Sequence, residues 1–288
     1  MLDFYTLRQE ISFGKEGGGT MKYYKYWAMG RNAIEMDGVR KEVSSLAGSN
    51  ESTQDAERKA QEQIRQIGQK IHGDSHVFSE YQVPIKEELI REINPKAIIT
   101  RNHYGSLILN AENMMIMDID HPPISFLGLF GFGRKGTPKE RIVQMIGEKI
   151  ASGKYGELSA RIYETFQGIR CIIHNAPCDP SSHEAEYLMR KFNNDPLYGF
   201  LCKKQQCFRA RLTPKPHRCK FHRPPSKFPR FEPREIEEFN EWRTKYDELS
   251  RDYATCRFIK EIGSGRFFRE LIDIHDEISG ALSSRKLA

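Results

Sequence analysis

The sequence predicts an α+β fold, and three observations carry that prediction. Apolar runs of strand length, 97–100, 106–109 and 114–120, are bounded by turn residues. Other segments have helical periodicity with explicit start signals, the clearest being Thr137-Pro138-Lys139-Glu140. From residue 114 onward strands and helices follow in the order β-α-β-β-α-β, and a helical stretch closes the chain.

The first part, residues 1–96, reads as an N-terminal α/β extension. Phe4 to Ile11 is a candidate strand, and Gly17-Gly18-Gly19 a flexible connector. Tyr23-Tyr24-Lys25-Tyr26-Trp27 combines aromatic and basic residues and reads as core-packing aromatics or as a platform for bases. Residues 45–53 read as a polar loop ending in a helix cap at Ser52 or Thr53. The helix beyond it carries Ala56, Ala60, Ile64, Ile67 and Ile71 as an apolar stripe. A second helix is expected from Pro84 to Ile93, with proline at its start.

The second part, residues 97–232, is the informative one. Two strands, 97–100 and 106–109, precede the strand Met114-Met115-Ile116-Met117-Asp118-Ile119-Asp120. A helix opens at the Thr137 capping box and runs through Ile150. Leu158 to Glu164 and Ile169 to His174 are strands joined by a tight turn. Ser182 to Phe192 is a helix, and Cys207 to Leu212 a further strand. This order, begun at the aspartate strand, is that of an RRM-like or ferredoxin-like unit, the arrangement of a polymerase palm. The third part, residues 233–288, is expected to be helical, with Ile236, Phe239, Trp242, Tyr246 and Leu249 on one helix face and a second helix from Phe267 to Leu282.

The chain is 38% hydrophobic and 29% charged, with a net charge of +6. It contains no apolar run of the ~18 residues a membrane span needs; the longest candidate, Ile124 to Gly133, is short and glycine-rich, so no membrane association is expected. Met1-Leu2-Asp3-Phe4 lacks the basic and apolar regions of a secretory signal. Six cysteines in a chain of this size fit a reducing compartment, giving a cytoplasmic expectation.

The chemistry is expected around Asp118 and Asp120. Side chains two apart on a strand share a face, so these acids point the same way at the strand's end. Two like charges on one face call for a cation between them, Mg²⁺ or Mn²⁺, or for full solvation. In the ferredoxin-like order they lie next to Glu164, Thr165, Gly168 and Arg170, and the last strand brings Arg209 and Arg211 close. The loop Gly131-Phe132-Gly133-Arg134-Lys135-Gly136 feeds the capped helix and offers backbone N–H groups, Arg134 and Lys135 to a phosphate, or is an ordinary flexible loop. Ten residues separate it from the aspartate strand, which argues against a dinucleotide fold.

Residues 202–234 carry eleven Lys or Arg and a single acid, Glu232, with Phe208, Phe221, Phe228 and Phe231 interspersed. A basic stripe with aromatics suits nucleic acid, neutralising phosphates and stacking bases. Cys202, Cys207, Cys219 and His222 could supply four zinc ligands, or the cysteines are buried, unliganded thiols. Cys171 and His174 are read as core. His275 and Asp276 are read as solvated or capping, although the C-terminal helix brings them within reach of the site.

Met115-Ile116-Met117-Asp118-Ile119-Asp120 resembles the first motif of the archaeo-eukaryotic primase superfamily, which includes primase-polymerases. Tyr163-Glu164-Thr165-Phe166-Gln167-Gly168-Ile169-Arg170 resembles the second, with Arg170 where the family carries histidine. The segment Phe208-Arg209-Ala210-Arg211-Leu212-Thr213-Pro214-Lys215-Pro216 is similar to a later arginine-rich part. Asp195 and Glu164 are the candidates for a third carboxylate. The resemblance spans residues 97–216 and implies a palm core, two divalent ions, a nucleoside triphosphate and a nucleic-acid template. It implies nucleotidyl transfer with Asp118, Asp120 and Arg170 as catalytic residues. The alternatives are a non-catalytic RRM-like binder of single strands and a metal-dependent nuclease.

Overall fold

A computed structural model of the chain describes residues 20–36, 39–71, 84–120, 136–265 and 267–288. The expected strand Phe4–Ile11, the Gly17–Gly19 connector, and Arg134 and Lys135 lie outside these residues. The described chain is a mixed α+β protein whose strands form two four-stranded antiparallel sheets and two smaller pairings.

A long hairpin opens it. β1 (Tyr26–Met36) pairs with β2 (Val39–Ser49) in register from Tyr26↔Ser49 to Met36↔Val39. The helix α1 (Thr53–Ile71) follows, with the Ser52 hydroxyl accepting the Asp55 N–H as its cap. Ala56, Ala60 and Ile64 are buried as the stripe predicts. A Cβ on Gly30 would stand 3.0 Å from Ile64 Cδ1, so the missing side chain is what lets α1 lie close on the hairpin. The loop expected at 45–53 is strand as far as Ser49, because its small residues Ala47, Gly48 and Ser49 pair with Ala28, Trp27 and Tyr26.

The first sheet has the order β3 (Glu88–Asn94), β4 (Ala97–Arg101), β5 (Leu107–Ala111), β9 (Phe208–Arg211). The helix expected at Pro84–Ile93 is therefore corrected to an edge strand. The Pro95-Lys96 turn folds β3 back on β4, and two irregularities in that pairing disturb its two-residue period.

The second sheet has the order β11 (Cys256–Ile262), β7 (Ala160–Thr165), β8 (Gly168–Ile173), β6 (Ile116–Asp120). The helix α2 (Pro138–Ala151) carries the full capping box, Thr137 accepting from Glu140 N–H while the Glu140 side chain accepts from Thr137 N–H. Its Ile146 and Ile150 join one large core with β6, β7, β8 and the helix α3 (His183–Lys191). The pairing β6–β8–β7 is the one expected of the βαββα part.

The last strand departs from that expectation. β9 pairs with β5, from Ile108↔Arg211 to Ala111↔Phe208, and not with β6. A helix the sequence reading passed over, α4 (Pro196–Gln205), explains this. Asn194 and Asp195 at its start occupy the open edge of β6: Asn194 Oδ1 accepts the Asp118 N–H at 3.0 Å, and the Asp195 N–H donates to the Asp118 carbonyl at 3.1 Å. The Tyr198 hydroxyl then sits between the strands, 3.0 Å from the Ile116 and Arg209 carbonyls, and accepts the Arg209 N–H. A phenol thus fills the place where a direct strand ladder would run.

The C-terminal part is not purely helical, which is a second correction. After α5 (Pro233–Ser250) the chain forms β10 (Tyr253–Ala254) and then β11, the edge of the second sheet. A bulge between Phe258 and Lys260 breaks the two-residue alternation that would mark β11 in the sequence. The helix α6 (Arg269–Ser279) and the short β12 (Lys286–Leu287), parallel to β10, complete the described chain. On α5 the Trp242 ring stacks on Tyr246 at 5.0 Å and on Phe239 at 5.7 Å, with Phe221 at 5.8 Å. Ile236 and Leu249, expected on the same face, are exposed. No helix among the described residues is long and apolar enough to cross a membrane.

Candidate functional site

The site begins with register. Asp118 on β6 stands directly opposite Arg170 on β8, and Asp120 opposite Gly168. Opposed residues of an antiparallel pair put their Cβ atoms about 5 Å apart on one face. Arg170 therefore reaches Asp118 with two donors, Nε to Oδ1 at 2.9 Å and Nη2 to Oδ2 at 3.3 Å. Arg170 is 3% exposed, while the Asp118 side chain keeps 34%. Burial opposes the charged form of Arg170, but the Asp118 carboxylate outweighs it and its pKa is raised.

The turn that carries Arg170 is fixed by contact. A Cβ on Gly168 would meet the Ile119 carbonyl at 2.2 Å, so only glycine lets the β7–β8 hairpin come this close to β6. The Thr165 hydroxyl accepts the Gly168 N–H at 3.0 Å, closing the turn.

A cleft of about 310 Å³ opens in front of this pair. It is lined by three acids, Asp118, Asp120 and Asp195, together with the cations Arg170, Arg211, Lys215 and Arg218, and Thr165 and Gln167 add to its polar lining. Leu197, Tyr198 and Leu201 of α4 form an apolar side. Leu197 is 65% exposed.

The charged forms of these cations are disfavoured. Burial, Arg170 and Arg218 together push Arg211 down to about 10, and its Nη1 is buried with no hydrogen-bond partner among the described residues. Lys215 is lowered by burial, Arg211 and Arg218, and Arg218 by burial. Arg218 also donates to Gln167 Oε1 at 2.9 Å and lies over the exposed Phe166 ring at 4.4 Å. Lys215 and Arg223 both lie 5.7 Å from the centre of the Tyr104 ring. Two aromatic rings thus flank these cations.

The structure brings together most of the expected residues. Asp118, Asp120, Thr165, Arg170 and Arg211 line the cleft, and Gly168 shapes it. Arg209 does not reach it: its guanidinium is bound to both Glu87 carboxylate oxygens at 2.6 Å and to Gln205 Oε1. Glu164 is taken by Lys139 at 2.8 Å. Asp195 lines the cleft but also caps α4 through the Leu197 N–H. Sequence reasoning did not single out Lys215, Arg218, Leu197 or Leu201. The signal for the first two was Pro214-Lys215-Pro216, which turns the chain into a short 3-10 helix, Pro216–Cys219.

The basic segment is divided between two roles. Phe208 and Phe221 pack inward, Arg230 lies 3.2 Å over the Phe239 ring, and Lys203 pairs with Glu186. Only its middle, from Arg211 to Arg223, serves the cleft and its rim. Among the described residues no three His, Cys, Asp or Glu side chains are gathered to hold a metal ion, so Cys202, Cys207, Cys219 and His222 do not converge. The three cysteines are buried, and burial pushes the thiols of Cys202 up to about 12 and of Cys219 up to about 11. His222 stacks on Phe221 at 4.3 Å.

His275 and Asp276, expected to be solvated, are buried directly behind Arg170. Their helix packs its inner face on the second sheet, which the sequence could not show without β11. No protein-family model, no curated protein and no solved structure matches this chain.

Proposed function

We propose that the cleft binds a phosphate ester of nucleotide type and performs metal-dependent nucleotidyl transfer on nucleic acid, on an RRM-like palm core. The observation that carries this reading is the gathering of two same-side acids and the cations Arg170, Arg211, Lys215 and Arg218 in the lining of one cleft. Burial with Arg170 and Arg218 depresses Arg211, burial with Arg211 and Arg218 depresses Lys215, and among the described residues a buried Arg211 nitrogen has no hydrogen-bond partner, a combination that suits a polyanion. Leu197 and Leu201 provide an apolar side against which a base or sugar rests.

The donor set fits a magnesium-like ion. Such an ion is commonly held by one or two carboxylates, with waters and substrate phosphates completing its shell. Asp118 and Asp120 are those carboxylates; Arg170 occupies one lone pair on each Asp118 oxygen, and a carboxylate has about four. The bound ion would polarise a phosphoryl oxygen and offset its charge. Arg170 holds Asp118 in orientation, and Arg211, Lys215 and Arg218 take the remaining phosphate oxygens. The rings of Phe166 and Tyr104 at the rim suit stacking by a single strand.

The test is nucleotide incorporation on a single-stranded template with Mg²⁺ or Mn²⁺. Asp118→Asn with Asp120→Asn abolishes it in a protein that still folds, although with a lower unfolding temperature because buried Arg170 loses its counter-charge. Undiminished incorporation by the double variant refutes the assignment. A second reading, binding of single strands without turnover, is favoured by the contact of Arg170 with Asp118 at the position where the resembling family carries histidine. It predicts salt-sensitive binding with no metal requirement.

A further inference from the structure

We propose that His275, oriented by Asp276, is a positioning residue that holds the Arg170 guanidinium in place for the cleft. The inference rests on the phosphate-binding reading for its consequence, although its geometry stands independently. Arg170 uses Nε and Nη2 on Asp118. Its third nitrogen, Nη1, donates to the Arg211 carbonyl at 3.0 Å and lies 3.3 Å from His275 Nε2.

An arginine has only donors. His275 therefore presents the Nε2 lone pair to Arg170 and carries its proton on Nδ1. Nδ1 lies 2.9 Å from Asp276 Oδ1, where that proton is donated. Asp276 is fixed in turn by Arg161, whose Nη2 donates to Oδ2 at 2.7 Å. The order Arg161–Asp276–His275–Arg170–Asp118 is thus a hydrogen-bonded row across the sheet, from its β7 side to the cleft. Asp276 accepts from two donors, Arg161 and His275, and His275 relays the row by donating to Asp276 and accepting from Arg170.

The same histidine also lies near a thiol, and that arrangement has a rival meaning. Cys256 Sγ is 3.8 Å from His275 Nε2, completing a Cys–His–Asp set of the kind used by nucleophilic enzymes. Cys256 and His275 are both fully buried, and the Cys256 S–H is directed to Ser279 Oγ at 3.4 Å. Arg170 occupies the other approach to Nε2, and the Tyr163 ring packs edge-on at 4.9 Å. No substrate atom reaches the sulfur, so the histidine's working partner is the guanidinium.

The consequence for the cleft is directional. With His275 gone, Arg170 keeps Asp118 and one backbone carbonyl but loses the acceptor that fixes the far end of its plane. The fork then tilts, and Asp118 tilts with it.

The test uses the full chain, ¹⁵N NMR of His275 and Arg170, and calorimetry with inorganic tripolyphosphate. At a pH above its titration His275 should show the Nδ1–H tautomer, and the Arg170 Nε–H should be a slowly exchanging resonance. His275→Leu should lose that resonance and weaken tripolyphosphate by about tenfold or more, the loss of one hydrogen bond to a charged group. His275→Gln, whose amide oxygen still accepts from Nη1, should restore both to within about threefold of the wild type. Cys256→Ala should leave both unchanged.

An Nε2–H tautomer, a protected Arg170 resonance in His275→Leu, or failure of His275→Gln to rescue a folded variant overturns the proposal. So does a Cys256→Ala variant that behaves like His275→Leu. If the wild type takes up no tripolyphosphate, the phosphate-binding reading falls while the NMR result still decides the role of His275.

Discussion

Arg211→Met is the substitution that most directly probes whether the cleft is built for an anion. Arg211 feels the charges of both Arg170 and Arg218, and its Nη1 is buried without a partner among the described residues. The fall of its pKa from 12.5 to about 10 expresses how far burial and the neighbouring guanidinium groups disfavour the charge. At 1.36 kcal/mol per unit this corresponds to ~3 kcal/mol against the charged form, and incomplete burial with lost packing reduces the expected gain to ~1–2 kcal/mol. The sign is definite: a cation whose folded pKa lies below its unfolded value weakens the fold at every pH below the folded pKa, and the cost disappears above the unfolded value.

Methionine keeps most of the aliphatic stem and removes the charge. Urea unfolding at neutral pH should therefore show Arg211→Met to be more stable than the wild type, and calorimetry should show tripolyphosphate binding lost. Added tripolyphosphate should stabilise the wild type and leave the variant unmoved. A variant that is less stable than the wild type refutes the reasoning, because the guanidinium would then be satisfied in the empty protein.

Three further outcomes follow from the same structure. Lys215 is lowered by burial and its arginine neighbours, so a bound phosphate raises it again and binding takes up a proton between the free and bound values. Affinity should fall as pH rises through the free value, and calorimetry in two buffers of different ionisation heat should reveal the uptake; buffer-independent heats would exclude it. Trp242→Ala should cost ~3–5 kcal/mol in urea unfolding, since the ring packs on Phe239, Tyr246 and Phe221 and donates to the His222 carbonyl. Burial holds the Cys171, Cys178 and Cys202 thiols at about 12, so a disulfide reagent at neutral pH should label them only on unfolding. A fast-reacting thiol among these three, or zinc retained at one equivalent through dialysis, would contradict that assignment.

The parts of the fold that were legible are those whose signals are local. The Thr137 capping box, the Ser182 cap and the apolar run ending at Asp118 and Asp120 each state their structure within a few residues. Asp195-Pro196 carries an equally clear start signal for α4, but the helix lacks a clean apolar stripe: Leu197, Phe200 and Leu201 are exposed while Cys202 and Gln205 are buried. β3 and β11 were illegible for a different reason: both are edge strands with bulges, and their pairing is decided by distant partners. Those misreadings mattered at the site. Without α4 the leucine side of the cleft and the Tyr198 bridge could not be foreseen, and without β11 the place of His275 could not either. Arg209 and Arg211 share a strand face and a residue type, and only the position of Glu87 separates the one held in an ion pair from the one left facing the cleft.

The charge arrangement also orders the two readings of the site against each other. Asp118 is already neutralised by Arg170, and Asp195 is committed to a helix start. Among the described residues the cleft sets four cations, Arg170, Arg211, Lys215 and Arg218, against three acids. On the proposed reading their net field would oppose a bare divalent cation, whereas a polyanion would be drawn in and would supply the missing oxygens for the metal shell. On the transfer reading, metal uptake must follow or accompany the phosphate ligand, so Mn²⁺ alone binds weakly and Mn²⁺ with tripolyphosphate binds with positive coupling. On the binding-only reading the coupling is absent, because the arginines and the lysine satisfy the phosphates unaided. The residue that separates these cases is Arg170, since the strength of its hold on Asp118 sets how much of that carboxylate a metal can share.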